Sequence, residues 1–567
     1  MNNTYFSKLL PVPENQEASN LFKSTSRSLG KECKIQSKTD LANTLSQMKI
    51  YNQAQSFDNF EPALSDREIP VSQAMSALRD QINNTAAITA DAKSYPPANP
   101  FYEVKELLDK EGSTANQLLT YFKQMPKGGN LHIHTSASYN MRNFIIDLCN
   151  RYKENIYMLN KDIEAVDKKT YSQYSLVYFE QSPAPGDNRF IRLADYVSNI
   201  GNLERLIQLY TLTDNTNGYI DAIPYIWTGF NKIFGLIDSI LKVPDIYVLY
   251  YTRSFQMLMA DGIDYCELRA GVTDTFYVNY DFMLNGKDPK IIKGDDDTDP
   301  YFITLLKQAY TTALPKKSAN ELDPSAFQLK LVLTANRSGD EKKVQSAIDK
   351  MKKTRTWMQN PKVNSNPNPL PGVNGDDSKF ILGFDLVSEE DNGLSTKGFV
   401  DKLFDSNNED LLYSVPLYLH DGESNRYDDD NLYTAYLVGS ERFGHGLNLY
   451  RSAYLEELVK ANQNTLEVCP ISNQVLRYIP DIRIHPVYEY LSNGVRCVIA
   501  SDDPQIFGND GLSYDFWMLY ASGTLDLRAV KCLIKNSYRY SGMNADEAKF
   551  MLNQWESKWN RFIDSQK

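Results

Sequence analysis

The stretch Asn130-Leu131-His132-Ile133-His134 marks a change of texture in the chain: from here on, short apolar or β-branched runs alternate with longer stretches of helical spacing. Eight runs can be followed, namely Leu131 to His134, Asp264 to Ala270, Gln328 to Ala335, Phe380 to Val387, Ser414 to His420, Arg442 to Leu447, Thr465 to Ser472 and Arg496 to Asp503. Strands that are apolar almost throughout and alternate with helices belong to a parallel sheet covered on both faces. Eight of them predict closure into an α/β fold of the (β/α)8 TIM-barrel type. Active sites of such barrels form where the strands end at their C-terminal face, so the polar residues closing each run carry the functional information.

Two intervals depart from this rhythm. About 130 residues separate the first run from the second, far more than one crossover helix takes, which predicts an insertion at 140–200 followed by long helices through Trp227 and Phe255. The Asn-, Pro- and Gly-rich segment 357–379 reads as a surface excursion. Residues 1–120 are polar and weakly periodic, with breakers at Tyr95-Pro96-Pro97 and Asn99-Pro100, and read as an N-terminal helical extension outside a barrel domain spanning 121–567.

Across 567 residues, 60 Lys and Arg stand against 72 Asp and Glu, a formal net charge of −12. Binding a polyanion requires clustered cations that replace its counterions, so this balance argues against a nucleic-acid partner. The most apolar long stretch, Tyr219 to Leu249, is interrupted by Asn231, Lys232, Asp238 and Lys242, and a membrane span needs about 20 nearly unbroken apolar residues. No span is expected. The six cysteines are widely spaced without a CxxC pair, which fits a reducing compartment. The first residues lack the basic patch and the run of about 7–15 apolar residues of a secretory signal, so the expectation from this rule is a cytoplasmic location.

Only five histidines occur in the chain, and four of them fall at ends of expected strands. His132 and His134 are two residues apart on a strand and therefore point to one side, a metal-binding spacing. The fifth run closes in His420-Asp421-Gly422-Glu423, the sixth contains Gly444-His445-Gly446, and the eighth closes in Ser501-Asp502-Asp503-Pro504. Three imidazoles and a carboxylate, with a position left for water, describe a hydrolytic Zn2+ site, at which bound water ionises near neutral pH. A further histidine beside that water suits proton removal, and a carboxyl kept protonated suits donation to the group under attack; those roles fit His445 and Glu423.

With these residues in place the sequence resembles the adenosine deaminases, and most closely the adenosine deaminase-related growth factor group, the adenosine deaminase 2 type. The matching stretches are Met125 to His134, Gly383-Phe384-Asp385-Leu386-Val387, His420 to Glu423, Arg442 to Gly446, Glu467 to Leu476, Ser501 to Pro504 and Gly511 to Phe516. The resemblance covers roughly 120–565. It implies a zinc-dependent aminohydrolase that converts adenosine and/or 2′-deoxyadenosine to inosine or deoxyinosine and ammonia, hydroxide adding to purine C6. One Zn2+ per chain would be held by His132, His134, His420 and Asp502. Glu423 would protonate purine N1, His445 would orient and deprotonate the attacking water, and Asp503 would hold the attacking hydroxyl or purine N7. Trp227 matches a tryptophan near the nucleoside pocket. The growth-factor group also implies a homodimer through the N-terminal extension and a largely extracellular setting.

Three positions depart from that pattern. Thr135-Ser136 follows the His-Ile-His run where many relatives carry Asp available to the ribose, Ser388 stands where the family has a Gly whose amide meets purine N3, and Asp421 replaces a small residue after the third histidine, with an expected effect on electrostatics near the metal. The competing readings are a deaminase of a modified adenine nucleoside or nucleotide, and a nucleoside-binding signalling protein of the growth-factor kind. The fifth histidine, His485, opens a helical stretch before Pro486 and is expected to be structural.

Overall fold

The structure, a computed structural model, describes residue 46 and residues 61–89, 101–166, 168–212, 219–273, 275–292, 300–318, 321–373, 379–403, 414–523 and 525–566. Much of the expected N-terminal extension, together with Cys33, lies outside these residues.

The barrel strands are β1 (Gly128–His134), β2 (Ile263–Gly271), β3 (Gln328–Asn336), β4 (Ile381–Val387), β5 (His420–Asp421), β6 (Arg442–His445), β7 (Thr465–Val468) and β8 (Arg496–Ile499). β1 to β4 form one parallel set and β5 to β8 another. Two seams join them. Phe384 N donates to Pro416 O at 2.9 Å and Tyr418 N to Phe384 O at 3.0 Å, with a parallel bridge between Phe384 and Leu417. On the other side His134 N donates to Asp502 O at 3.1 Å and Asp502 N to His132 O at 3.0 Å, bridging Ile133 to Asp502. The eight-stranded parallel barrel expected from the apolar runs is therefore closed. The first seam depends on Gly383, where a Cβ would sit 2.2 Å from Pro416 O. A side chain there would push strand five out of the wall.

Several runs extend past the strands they predicted. The fifth, read from Ser414, is a regular strand only at His420–Asp421, because Pro416 has no N–H to add to the ladder. The sixth ends at His445, where the backbone enters the left-handed region at φ 63°. The seventh stops at Val468 because Pro470 opens a helix, a position that needs no N–H. The eighth ends at Ile499, and Asp502 beyond it is left-handed at φ 56°.

The helices that matter for the site and its support are α1 (Ile69–Thr89), α2 (Phe101–Asp109), α3 (Thr114–Gln124), α4 (Tyr219–Ile240), α5 (Pro244–Ala260), α6 (Pro470–Val475), α7 (Leu512–Ser522), α8 (Leu527–Arg539) and α9 (Ala545–Ser565). Their starts follow local rules: Ser113 caps α3 by accepting from Asn116 N, Asp526 caps α8, and Asn544 with Glu547 makes a reciprocal capping box on α9. From residue 61 on, the described N-terminal part is seated on the barrel's helical layer. α1 packs on α3 and α7, Glu61 meets Lys535, and buried Glu68 accepts from Lys531 Nζ at 2.7 Å and Trp559 Nε1 at 2.7 Å.

Between β1 and α4 the chain makes a helix at Met141–Arg151 and a small antiparallel sheet in which 156–159 lies between 176–178 and 190–192. Among the described residues no helix is long and apolar enough to cross a membrane. The five described cysteines are free thiols.

Candidate active site and metal centre

At the C-terminal rim of the barrel, β1 delivers His132 and His134, β5 delivers His420, and the turn after β8 delivers Asp502. One donor atom from each lies within 4.8 Å of the others. His134 Nε2 is 3.2 Å from His420 Nε2 and 3.2 Å from Asp502 Oδ1, and His132 Nε2 is 3.3 Å from Asp502 Oδ1. His132 Nε2 and Asp502 Oδ1 are nevertheless buried without any hydrogen bond. Lone pairs aimed at one point with no proton between them are costly in a dry site, and a cation at that point removes the cost. This donor set, three imidazole nitrogens and a carboxylate, fits Zn2+. A second grouping, His132, His445 and Cys469, is a poorer candidate, because burial pushes the Cys469 thiol well above its ordinary pKa and a ligand would have to be the thiolate.

Carboxylates behind the imidazoles set their tautomers. Glu467 Oε2 lies 3.0 Å from His132 Nδ1, and Asp385 Oδ2 lies 2.6 Å from His420 Nδ1, so the ring protons sit on Nδ1 and Nε2 is left to bind. Arg269 ties the pair together: Nε donates to Asp385 at 2.7 Å and the terminal nitrogens reach Glu467 and Leu131 O. Burial alone would raise both carboxyls, but their guanidinium and hydrogen-bonding partners reverse this. Arg269 and Arg442 hold Glu467 far below the usual carboxylate range, and His420 with Arg269 does the same for Asp385. Burial lowers the His420 pKa to about 3 despite Asp385, which keeps the ring neutral. Below this layer Arg442 also pairs with Glu267, itself accepting from Tyr265 Oη at 2.7 Å.

Glu423 projects into the same rim from the Gly422 turn, whose backbone is clamped by Glu390 accepting from Gly422 N at 3.1 Å and Glu423 N at 2.6 Å. Burial raises the Glu423 carboxyl well above the carboxylate range, and the charges of Asp502 and Glu390 push it further, which favours the protonated form. Burial likewise holds His445 well below the usual histidine range. Asn473 joins the two, its Nδ2 lying 2.9 Å from Glu423 Oε1 and 3.2 Å from His445 Nδ1. His485 fixes which way that amide points: its Nδ1 accepts from Val487 N, so Nε2 carries the proton and donates to Asn473 Oδ1 at 3.2 Å. The fifth histidine is outside the cavity, as expected of a structural residue, yet it reaches the acid through one amide.

His134, His420, Glu423, His445, Asp502 and Asp503 open onto one cavity of about 540 Å3 that also touches Trp227 and Ser388, so every residue given a catalytic, substrate or metal role from the sequence lines it except His132, which lies immediately behind. Such a volume falls in the small-molecule range. Trp227 contributes a wall, with Nε1 donating to Tyr478 Oη at 3.1 Å. Burial and the Asp502 charge raise the Asp503 carboxyl well above its ordinary range, and Asp503 Oδ1 has no hydrogen bond. Asp421 does not face the metal centre. Its Oδ1 accepts from Thr396 Oγ1 at 2.5 Å and from Arg337 at 3.2 Å on the helix side of the wall, so its charge is neutralised where it stands.

Three rim residues other than glycine have left-handed backbones: Ser388 at φ 93°, His445 at 63° and Asp502 at 56°. Strain of this kind gathers where a site over-determines the chain. Ser388 thus keeps a glycine-like backbone while carrying a hydroxyl that is buried without a partner. Ser388→Gly is expected to raise stability by about 1 kcal/mol in urea unfolding. An unchanged or lowered midpoint would show that the hydroxyl, not the backbone, dominates there.

Sequence reading passed over Asp385, Glu467, Arg269 and Asn473 as functional positions. The signal was present in part, since a charged residue inside an apolar parallel strand, as in Gly383-Phe384-Asp385-Leu386-Val387, demands a buried partner. Comparison with known proteins agrees with the geometry. The family model described as adenosine deaminase matches residues 377–557. Adenosine deaminase 2 of Dictyostelium discoideum is 30% identical over 477 residues, covering 83% of this chain and 78% of that protein. Adenosine deaminase of Lutzomyia longipalpis is 28% identical, with 84% of each chain covered, and human adenosine deaminase 2 is 25% identical, with 83% of each covered.

Proposed function

The chain belongs to the adenosine deaminase family and is an enzyme of the deaminase type, and from that premise we propose that it hydrolyses adenosine and/or 2′-deoxyadenosine to inosine or deoxyinosine and ammonia. In this reading one Zn2+ per chain is held by His132, His134, His420 and Asp502. The observation that carries it is the convergence of four metal-donor atoms, two of them without a hydrogen bond, on one cavity with the buried carboxyl of Glu423.

When bound, the ion would lower the pKa of a coordinated water towards about 7 and so make hydroxide available at neutral pH. The protein supplies the rest. Glu423 gives its proton to purine N1, drawing electrons from C6. His445, whose Nδ1 lies against Asn473 Nδ2 and Glu423 Oε1, takes the proton of the attacking water and later passes it to the 6-amino group, which leaves as ammonia, while the C6 hydroxyl gives its proton back to Glu423 as the carbonyl forms. Asp503, whose carboxyl burial raises well above its ordinary range, donates to N7. The Ser388 amide meets N3, and Trp227 walls the base.

The reading treats 121–567 as the catalytic barrel with 140–200 as an insertion, and 1–120 as an extension through which two copies pair. A second reading, a 5′-nucleotide or modified adenine nucleoside as substrate, is favoured by Lys242 and Lys350 on the cavity wall. Ammonia release measured on adenosine, 2′-deoxyadenosine, an N6-methylated nucleoside and the 5′-monophosphate decides between them. The expected result is the highest kcat/KM on the two unmodified nucleosides; no ammonia from any of the four overturns the deaminase reading.

A further inference from the structure

The cavity holds one carboxylate away from the metal centre. Of its acidic lining residues, Glu423, Asp502 and Asp503 belong to the rim just described, whereas Asp238 comes from the facing helix α4. Residues 227, 230, 231, 234, 235 and 238 of that helix line the cavity at three- and four-residue spacing, so α4 lays one face along it. Trp227 donates to Tyr478, which feels the Glu423 charge, and Asp238 lies about three turns further along the helix.

Asp238 is tied to the metal strand itself. Its Oδ1 accepts from Ser136 Oγ at 2.5 Å, and Ser136 follows the ligand His134 by two residues, a Cα separation of at most about 7 Å. Ser136 is buried, while Asp238 is open to the cavity. One carboxylate oxygen is therefore held by the protein, and the group, which also meets the charge of Lys242 on the same wall, faces the cavity that the metal centre shares. A carboxylate in that position is matched by a neutral hydroxyl, whose proton it accepts in a charge-assisted bond.

We propose that the Ser136–Asp238 pair is the sugar-reading element of this enzyme: Asp238 accepts a hydrogen bond from one hydroxyl of the ribosyl group, a task that Thr135, directly after His134, has no charge to perform. The proposal rests on the deaminase reading. It makes Asp238 a specificity-determining residue contributed by α4, with Ser136 as its positioning partner.

The test is kcat/KM for the zinc-loaded full chain, its Asp238→Ala and Asp238→Asn variants and Ser136→Ala, each on adenosine and on 2′-, 3′- and 5′-deoxyadenosine. Asp238→Ala is expected to lose about 10- to 100-fold on adenosine, the worth of a hydrogen bond to a charged group. On the one analogue that lacks the hydroxyl held by Asp238 it loses less than about 3-fold, and Asp238→Asn and Ser136→Ala show the same selectivity with smaller losses. Because the adenosine-to-analogue ratio is taken within one preparation, partial misfolding cancels. An equal loss on all three analogues, or no loss on adenosine, overturns the proposal. Absence of turnover by the unaltered enzyme on every nucleoside would instead overturn the deaminase reading.

Discussion

Glu423→Gln is expected to lower turnover of adenosine by about 10²-fold or more while leaving one metal ion per chain and the unfolding temperature near that of the unaltered enzyme. The substitution is nearly isosteric, and the amide oxygen can still accept from Asn473 Nδ2, which now lies 2.9 Å from Glu423 Oε1. What disappears is the transferable proton. Burial, with Asp502 and Glu390, raises that carboxyl well above the carboxylate range and so favours the form that carries the proton. An amide can donate a hydrogen bond to purine N1 but cannot leave a proton on it, and the electron demand at C6 is lost with it. Steady-state kinetics combined with metal analysis on the same sample gives the answer. Ordinary turnover with full metal content would refute Glu423 as the acid.

Metal removal should have the largest effect of all. Dialysis against a chelator is expected to abolish deamination, and stoichiometric Zn2+ to restore it, whereas Mg2+ should not. The donor set explains the order: three imidazoles suit Zn2+, while Mg2+ seeks oxygen ligands in an octahedron and keeps its waters. The second layer makes the site ready-built, because Glu467 and Asp385 hold the His132 and His420 rings by Nδ1 and Arg269 holds both carboxylates. Reloading should therefore recover the full rate without refolding, and the metal-free protein should melt at a lower temperature because bound metal stabilises only the folded state. Turnover that persists in protein shown by elemental analysis to be metal-free would end the zinc reading.

The barrel was legible because parallel strands buried on both faces leave an apolar run each, and all eight runs correspond to wall segments. Their ends were less legible. Nothing in Arg442 to Leu447 or Arg496 to Asp503 announces that His445 and Asp502 turn left-handed, since that conformation is imposed by the surrounding rim rather than preferred by His or Asp. The expected influence of Asp421 on the metal failed for a similar reason. Adjacent residues of a strand point to opposite sides, and with His420 inward Asp421 meets Arg337 outside the wall.

From residue types and spacing came the (β/α)8 architecture, a metal-binding group of three imidazoles and a carboxylate, and the roles that suit Glu423 and His445, because strand periodicity and metal-ligand chemistry are local properties written along the chain; the set His132, His134, His420 and Asp502 was what the resemblance to the adenosine deaminases implied. Only the folded chain decided which atoms converge without a proton between them, which carboxylates stand behind the ring nitrogens, and that Asp238, 102 residues beyond Ser136, meets it across the cavity. Those are relations between distant segments, set by how strands and helices close around one another, and no window of sequence contains both partners.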